Sequence, residues 1–248
     1  ADLNVGVFYI LAVGAIEIVG VLMAGWSSNN KWSLLGSMRE VAQVVSYEIP
    51  MAMTALCPVV LVGSLQMTEI VSFQQTGWDI WGIGGTTGAS WGLGWNIWRA
   101  FPINIITFVV FYTCVLANLK RAPFDLPEAE SELVGGFHTE YSGMKFAFFF
   151  LAEYMNMLLV SSLAVILFFG GWLRPFPNVA ALSFLDVIPP FVWYLAKVMA
   201  FIFVYIWFRG TFPRYRFDQL MAVGWKWLLP LSLANVGLVA VGVLLLGS

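Results

Sequence analysis

Four carboxylates lie close together between residues 121 and 132. Asp125 is followed by Glu128, Glu130 and Glu132, the three glutamates at intervals of two residues. Carboxylates this close repel one another, so some of them could bind and release protons near neutral pH. An equally good interpretation is a solvated acidic loop paired with nearby basic side chains. The basic residues available for such pairing are Lys120, Arg121 and Arg216.

Four further ionisable residues lie inside long apolar segments, namely Glu17, Glu48, Glu153 and Lys197. A charge in the middle of a bilayer costs at least ~2.5–3.5 kcal/mol, so each needs a partner, water or a neutral form. Counted from the cytoplasmic ends of the predicted helices, they lie roughly 12 to 18 Å deep at ~1.5 Å per residue. We therefore predict a buried polar path in which Glu153 and Lys197 form a coupled pair. The alternative is that these side chains only hold helices together.

The composition is that of an integral membrane protein. Hydrophobic residues make up 60% of the chain and charged residues 10%, and the mean hydropathy is +0.83. Apolar runs of about 20 residues recur, enough to cross a hydrocarbon core of ~30 Å, and continuous runs favour helices over strands. We predict an all-α polytopic membrane bundle in which 1–248 is a single transmembrane domain. The six predicted spans are about 4–25, 39–65, 99–119, 141–169, 187–209 and 226–246.

Basic residues predict the orientation of the bundle. Only Arg99 and Arg174 fall in or beside the loops on one face of the membrane. By the positive-inside rule, loops 26–38, 120–140 and 210–225 face the cytoplasm, and both ends of the sequence face outward. The basic residues in or beside these three loops are Lys31, Arg39, Lys120, Arg121, Lys145, Arg209, Arg214, Arg216 and Lys226.

Several classes of function are excluded by the residues that the sequence lacks. The net charge of −2 indicates no nucleic-acid partner. Cys57 and Cys114 have no metal-site spacing, and His138 is the only histidine, so bis-histidine haem ligation within this chain is excluded. The chain has no glycine-rich nucleotide motif. Any electron transfer must therefore use a cofactor held by another protein.

Four separated motifs resemble a known family. The longest is FDLPEAESELVGGFHTEYSGMKF at 124–146, and the others are AGWSSNNK at 24–31, SYE at 46–48 and PRYRFDQ at 213–219. In this order they closely resemble the family of the H-type membrane subunit (subunit 1) of respiratory complex I, an NADH-quinone oxidoreductase. The resemblance extends from residue 1 to about residue 246. It implies a membrane wall of a quinone chamber, built against a peripheral arm that carries the iron–sulfur chain.

The resemblance also implies roles for individual residues. Those that would line or gate the quinone chamber are Arg39, Asp125, Glu128, Glu130, Glu132 and Phe137. Those expected on the proton path are Glu17, Glu48, Asn118, Glu140, Glu153 and Lys197. Those expected at subunit interfaces are Lys31, Arg121, Arg209, Arg214, Arg216 and Asp218. No residue of this chain is expected to act as a catalyst in isolation.

The sequence departs from the family pattern in two places. Members of the family begin with about two further membrane helices, which this sequence lacks, so we expect a fragment or a gene model with a late start. Many members also carry a glutamate three residues before the arginine of the Arg-x-Pro-Phe-Asp motif, where this chain has Asn118. Glu17 stands at a position that is usually small and uncharged. We therefore expect Glu17 to replace the missing carboxylate.

The resemblance implies the membrane subunit of a proton-translocating NADH:quinone oxidoreductase. Its implied cofactor is a quinone, ubiquinone or menaquinone, at a shared site, with FMN and iron–sulfur clusters only in partner subunits. Implied partners are the peripheral-arm iron–sulfur and quinone-site subunits, small membrane subunits, antiporter-like subunits and the lipid bilayer. The expected location is the bacterial inner (plasma) membrane rather than the mitochondrial inner membrane. Alternatives are the related subunit of an energy-converting hydrogenase or ferredoxin-fed quinone reductase, and a stand-alone ion transporter.

Overall fold

The computed structural model describes residues 3–75, 94–121, 123–125, 135–175, 184–185, 187–213 and 215–246. In these ranges the regular structure is helical, without β-strands. Five helical stretches are long and apolar enough to cross a membrane. They are Gly6–Ser27, Lys31–Val62, Met144–Phe168, Pro190–Thr211 and Phe217–Leu245. The prediction of an all-α polytopic membrane bundle is therefore confirmed.

The first two spans form a helical hairpin. Helices α1 (Gly6–Gly14) and α2 (Ile16–Ser27) together make the first span, and α3 (Lys31–Val62) makes the second. The Asn30 side chain accepts a hydrogen bond of 3.0 Å from the backbone amide of Trp32 and so caps the start of α3. The cytoplasmic loop predicted over 26–38 is therefore wrong in length, because the capped helix begins inside it. Gly63 ends α3 with a φ of +74°.

The region predicted as the third span contains a shorter helix. Helix α4 (Met67–Gln75) precedes it, and α5 (Ile103–Asn118) has 16 residues. At ~1.5 Å per residue, α5 is about 24 Å long, shorter than a typical hydrocarbon core of ~30 Å. Its buried residues include both polar and apolar types. Helix α5 therefore lies within the protein more than against lipid.

The remaining helices build the second half of the bundle. Helix α6 is Met144–Phe168, and α7 is Pro190–Thr211 with a proline in its first turn. Helix α8 (Phe217–Val223) continues through a π-helical turn, Gly224–Leu228, into α9 (Leu229–Leu246). The loop predicted over 210–225 is accordingly shorter than expected, because the helical path resumes at Phe217.

Helix α3 is the centre of the packing. It contacts α2, α5 and α9, together with a short 3₁₀ turn at Gly136–His138. The largest core cluster joins α3 and α5 to α6 and α7, with Tyr47, Phe111 and Phe168 fully buried. Many large apolar side chains, such as Phe8, Phe203 and Trp207, are exposed on the outer faces. An apolar exterior around a partly polar centre is typical of a protein that uses lipid as its solvent.

Candidate functional site

The buried face of α3 is polar near its start. Ser33, Ser37, Glu40, Gln43 and Tyr47 recur at the three- and four-residue spacing of one helix face, and all are buried. Glu40 is only 1% exposed. A buried carboxylate is strongly unfavourable unless it is paired or neutral, so this face requires a counter-charge from elsewhere in the chain.

Lys120 supplies that charge from the end of α5. Its backbone adopts a φ of +54°, an uncommon left-handed conformation for a residue with a side chain, two residues after the helix ends. Its ammonium forms an ion pair with Glu40 and a second ion pair with Glu17 Oε1 at 3.0 Å. Burial by itself lowers the pKa of Lys120, but Glu40 and Glu17 raise it, and the pKa ends above its usual range. The two carboxylates therefore favour the charged form of Lys120.

The loop that carries Lys120 is fixed by side chains of α3. Gln43 Nε2 donates to the carbonyl oxygens of Ala117 at 2.8 Å and Phe124 at 2.9 Å, one on each side of Lys120. The Tyr47 hydroxyl donates to the Leu220 carbonyl at 2.8 Å. These contacts attach both the Lys120 loop and α8 to α3. They hold the Lys120 ammonium in place.

Glu17 and Glu153 have additional partners. Asn156 Nδ2 donates to Glu17 Oε2 at 2.8 Å, so that α6 contacts the carboxylate of α2. Glu153 pairs with Arg121, with an Nη2–Oε1 distance of 2.9 Å. The predicted coupling of Glu153 to Lys197 is therefore wrong. Arg121, expected at a subunit interface, is instead engaged within the chain and is 14% exposed.

Lys197 lies far along the bundle from these carboxylates. Its ammonium donates to three backbone carbonyls that follow the last turn of α6, those of Phe169 at 2.8 Å, Gly171 at 3.0 Å and Leu173 at 2.7 Å. Phe169 is about 24 Å further along the helix axis than Glu153, at ~1.5 Å per residue. Carbonyls at a helix C-terminus lack intrahelical donors and attract cations, which explains this choice of partner. The prediction that Lys197 shares a layer with the glutamates is wrong.

A cavity of about 190 Å³ adjoins the ion pairs. Glu17, Lys120 and Glu153 line it together with Phe137 and His138 of the 3₁₀ turn. The Phe137 ring centroid lies 5.9 Å from Lys120 Nζ. Ser33 Oγ donates to the Phe137 carbonyl at 3.3 Å, which attaches the turn to α3. The cavity has room for several waters and has charged groups to hold them.

A second, smaller cavity lies beside Glu48. Its volume of about 20 Å³ suits one water molecule. Glu48, Asn118 and Asn156 are its polar lining residues. Asn156 also donates to Glu17, so the two cavities share a polar link. Asn118 itself approaches Met51, with 4.0 Å between its Nδ2 and the thioether sulfur.

The other residues expected in the site lie at the same end of the bundle. Arg39 lies over the Phe217 ring at 5.9 Å, and Asn30 Nδ2 donates to Glu140 at 2.7 Å. Asp125 is half-buried after Phe124. Lys31 lies 5.3 Å from the Trp32 ring centroid. Exposed residues are Arg209 in the last turn of α7, and Arg216 and Asp218 at the start of α8. Glu128, Glu130, Glu132 and Arg214 lie outside the described residues.

Sequence reasoning missed Glu40, Lys120 and Asn156 as site residues. The signal for Glu40 is present, because it continues the spacing of Ser33 and Ser37 on one face of α3. From the sequence, Lys120 is only a candidate partner of the acidic loop. The inward position of Lys120 depends on a left-handed backbone conformation that no sequence motif predicts. Asn156 is recognisable only through its contact with Glu17.

The fold and the site together define a polytopic α-helical membrane protein with a connected buried set of acids and bases. The profile of the NADH dehydrogenase family matches residues 1–240. The chain belongs to this family, and the resemblance seen in its motifs is confirmed.

Relatives are similar over almost the whole chain. The NADH-quinone oxidoreductase H subunit of Salinibacter ruber is 50% identical over 255 residues, which cover 100% of this chain and 69% of the relative. An H-type subunit of the same oxidoreductase from Koribacter versatilis is 48% identical, over 98% of this chain and 64% of the relative. NADH-ubiquinone oxidoreductase chain 1 of Chondrus crispus is 47% identical, over 99% and 67%. This chain thus spans about two thirds of the length of these relatives.

Proposed function

We propose that this chain is the membrane subunit of a proton-translocating NADH:quinone oxidoreductase, in which it contributes to a quinone chamber and begins the proton-coupling path. One structural observation supports this proposal in addition to family membership. The Lys120 loop, its ion pairs and two small cavities form a series of polar groups that reaches Glu48 inside α3. Such a series has little structural purpose in a bilayer, where each buried charge is unfavourable.

The quinone itself does not fit the charged cavity. Ligand pockets usually have volumes of about 300–1,000 Å³ and are mostly apolar. The cavity beside Lys120 has about 190 Å³ and is lined by charged groups. We therefore place the quinone at a surface shared with the peripheral-arm subunits, whose FMN and iron–sulfur clusters would supply its electrons. The chamber residues of this chain would be Arg39, Asp125, Glu128, Glu130, Glu132 and Phe137.

Within this chain, the proposed path is a sequence of proton-holding groups. Glu140 lies at the surface, and Glu153 and Glu17 follow at the larger cavity. Asn156 links Glu17 to the one-water cavity at Glu48. Asn156 donates to Glu17 and lines the one-water cavity together with Asn118. Glu17 would thus supply a carboxylate close to the position of Asn118. Glu48 would then pass the proton to a neighbouring membrane subunit. Lys197 has no place in this path.

We also propose a membrane location, an orientation and partner subunits for this chain. The three basic loops would face the cytoplasm of a bacterium, with the chain in its inner membrane. Lys31, Arg209, Arg214, Arg216 and Asp218 would contact partner subunits at that face. The partners would be the peripheral-arm, small membrane and antiporter-like subunits of the same complex.

The first test replaces the inner end of the path in the assembled complex. Glu48→Gln keeps the shape of the side chain and removes its ability to carry a proton as a carboxyl group. We expect NADH-driven quinone reduction and proton uptake into vesicles to fall by about 100-fold or more, because a positioned proton-transfer group contributes about 10²–10⁴-fold. Glu69→Gln, which changes an exposed glutamate of α4, is the matched control and should retain both activities.

Two outcomes would contradict the proposal. One is a purified complex that contains this chain but does not reduce quinone with NADH. That result would favour the hydrogenase or ferredoxin-fed alternative. The other is a Glu48→Gln complex with unchanged rates and an unchanged ratio of protons to electrons. Glu17→Gln, measured in the same assay, tests whether Glu17 supplies the carboxylate at the Asn118 layer.

A further inference from the structure

Two carboxylates share one ammonium beside the larger cavity. Lys120 Nζ contacts both Glu40 and Glu17, and these three residues form a triad. With all three groups ionised, the triad carries a net charge of −1. Glu40 is 1% exposed, Lys120 is 7% exposed and Glu17 is 35% exposed. An excess charge is strongly disfavoured at the buried Glu40, whereas a single bound proton makes the triad neutral.

The charged and titratable neighbours of the triad lie across the larger cavity. The groups that face it across the cavity are His138 and Glu153. Glu153 is itself paired with Arg121 at 2.9 Å, so that this second pair is neutral by itself. Asn156, the other partner of Glu17, is uncharged. Counted over Glu17, Lys120 and Glu40 alone, one carboxylate therefore has no ammonium of its own.

One oxygen of the triad lacks a hydrogen-bond partner. Oε1 of Glu40 pairs with Lys120, while Oε2 of Glu40 is buried without a partner among the residues that the structure describes. A buried ionised oxygen in this state loses its hydration without compensation. This oxygen lies on the most buried member of the triad. Independently of the charge count, this oxygen favours a bound proton, which removes the uncompensated charge of the carboxylate.

We propose that Glu17, Lys120 and Glu40 form a proton-binding site that holds one exchangeable proton between the two carboxylates. Binding breaks an O–H bond of a hydronium ion in the cavity and forms one on Glu17, the carboxylate of the triad that lines the cavity. Lys120 remains an ammonium, the net charge changes from −1 to 0, and no electron moves. The existence of the site is independent of the proposed function, while its use in proton coupling rests on that function.

Charge counting predicts the number of protonated carboxyl groups in the triad of each variant. The wild type should contain one protonated carboxyl in the triad. Glu17→Gln and Glu40→Gln each leave one carboxylate for one ammonium, so each should contain none. Lys120→Met leaves two acids without a cation and should contain two. Lys120→Arg keeps the charge and should resemble the wild type.

The experiment is infrared spectroscopy of the purified, membrane-reconstituted complex at neutral pH. Wild-type-minus-variant spectra report the C=O stretching band of a protonated carboxyl, identified by its shift in heavy water. The same single band should disappear in Glu17→Gln and in Glu40→Gln and should persist in Lys120→Arg. Its intensity should about double in Lys120→Met, as the charge count requires. Glu69→Gln is the matched control and should leave the band unchanged.

Two results would overturn the proton-binding site. The first is the absence of a band that depends on the triad. The second is a band lost in only one of the two glutamine variants, which would indicate a single isolated acid. Should Lys120→Met fail to assemble, the two isosteric glutamine variants still decide the matter. Loss of NADH:quinone activity alone would contradict the proposed function and leave the band pattern intact.

Discussion

At the scale of single residues, Lys120 and Lys197 differ in the groups that their ammonium ions contact. Lys120 contacts carboxylates and remains part of a group that can change its proton content. The Lys197 ammonium donates to three backbone carbonyls and lies 4.8 Å from the Trp95 ring centroid. The carbonyls have no proton to exchange. We therefore interpret Lys197 as a cap of α6 and Lys120 as a member of the functional site.

The assignment of Lys197 leads to a prediction about stability. Lys197→Met should destabilise the protein by about 2–4 kcal/mol, because three buried carbonyls lose a charged donor. The measurement is the thermal midpoint of the assembled complex. Combined with Glu153→Gln, the two midpoint shifts should add, as expected for residues without a shared contact.

The matched comparison is the Arg121–Glu153 pair, whose side chains are in direct contact. Arg121→Met and Glu153→Gln remove the two ends of one ion pair, so their midpoint shifts should not add. A clear interaction between Lys197 and Glu153, larger than that between Arg121 and Glu153, would contradict the separation of Lys197 from the glutamates.

At the scale of elements, glycine permits the close approach of α3 to the 3₁₀ turn. A Cβ atom on Gly36 would lie 2.7 Å from the Gly136 Cα atom. That distance is far inside van der Waals contact, and the obstacle is backbone. The turn carries Phe137 and His138, which line the larger cavity. The shape of the cavity thus depends on the absence of a side chain at position 36.

The prediction is that Gly36→Ala moves the turn and weakens the site. We expect a destabilisation of about 1–3 kcal/mol, typical of overpacking, and a loss of quinone-reductase activity in the assembled complex. Gly237→Ala in α9 is the control, since nothing lies within 4 Å of a Cβ there. Alanine in that helix interior should be neutral or stabilise by about 0.5–1 kcal/mol. Equal effects of the two substitutions would contradict the prediction.

The elements also show what can be predicted from sequence and what cannot. Apolar length predicts that α6 and α7 are helices and that Glu153 lies inside one of them. Counting residues along a helix does not show where a long side chain ends. The Lys197 ammonium reaches the carbonyls after the last turn of α6, and so the expected contact of Glu153 with Lys197 is absent from the bundle. Arg121 and Glu153 lie on different elements, and their pairing depends on how the α5 loop turns. The capped start of α3 at Asn30 is predictable, because asparagine is a preferred N-cap residue.

At the scale of the whole molecule, orientation is a prediction that labelling can test. Lys145 and Glu69 are exposed residues near opposite ends of the bundle. Cysteines introduced as Lys145→Cys and Glu69→Cys should react with a membrane-impermeant maleimide only from the cytoplasmic and only from the outer side, respectively. The native Cys57 and Cys114 are buried and should give little background. The reverse pattern of labelling would refute the orientation derived from the basic loops.

The inward face of α5 has a consequence for the membrane voltage. Between Asn118 and Thr107, that face presents Cys114 and Phe111, both fully buried. The two ends of this stretch are about 16 Å apart along the axis. A unit charge entering such a medium of low dielectric constant meets a barrier well above the ~2.3 kcal/mol that 100 mV provides. This part of the bundle is therefore a high barrier to charge, and under the proposed function a proton at Glu48 would leave sideways rather than leak across.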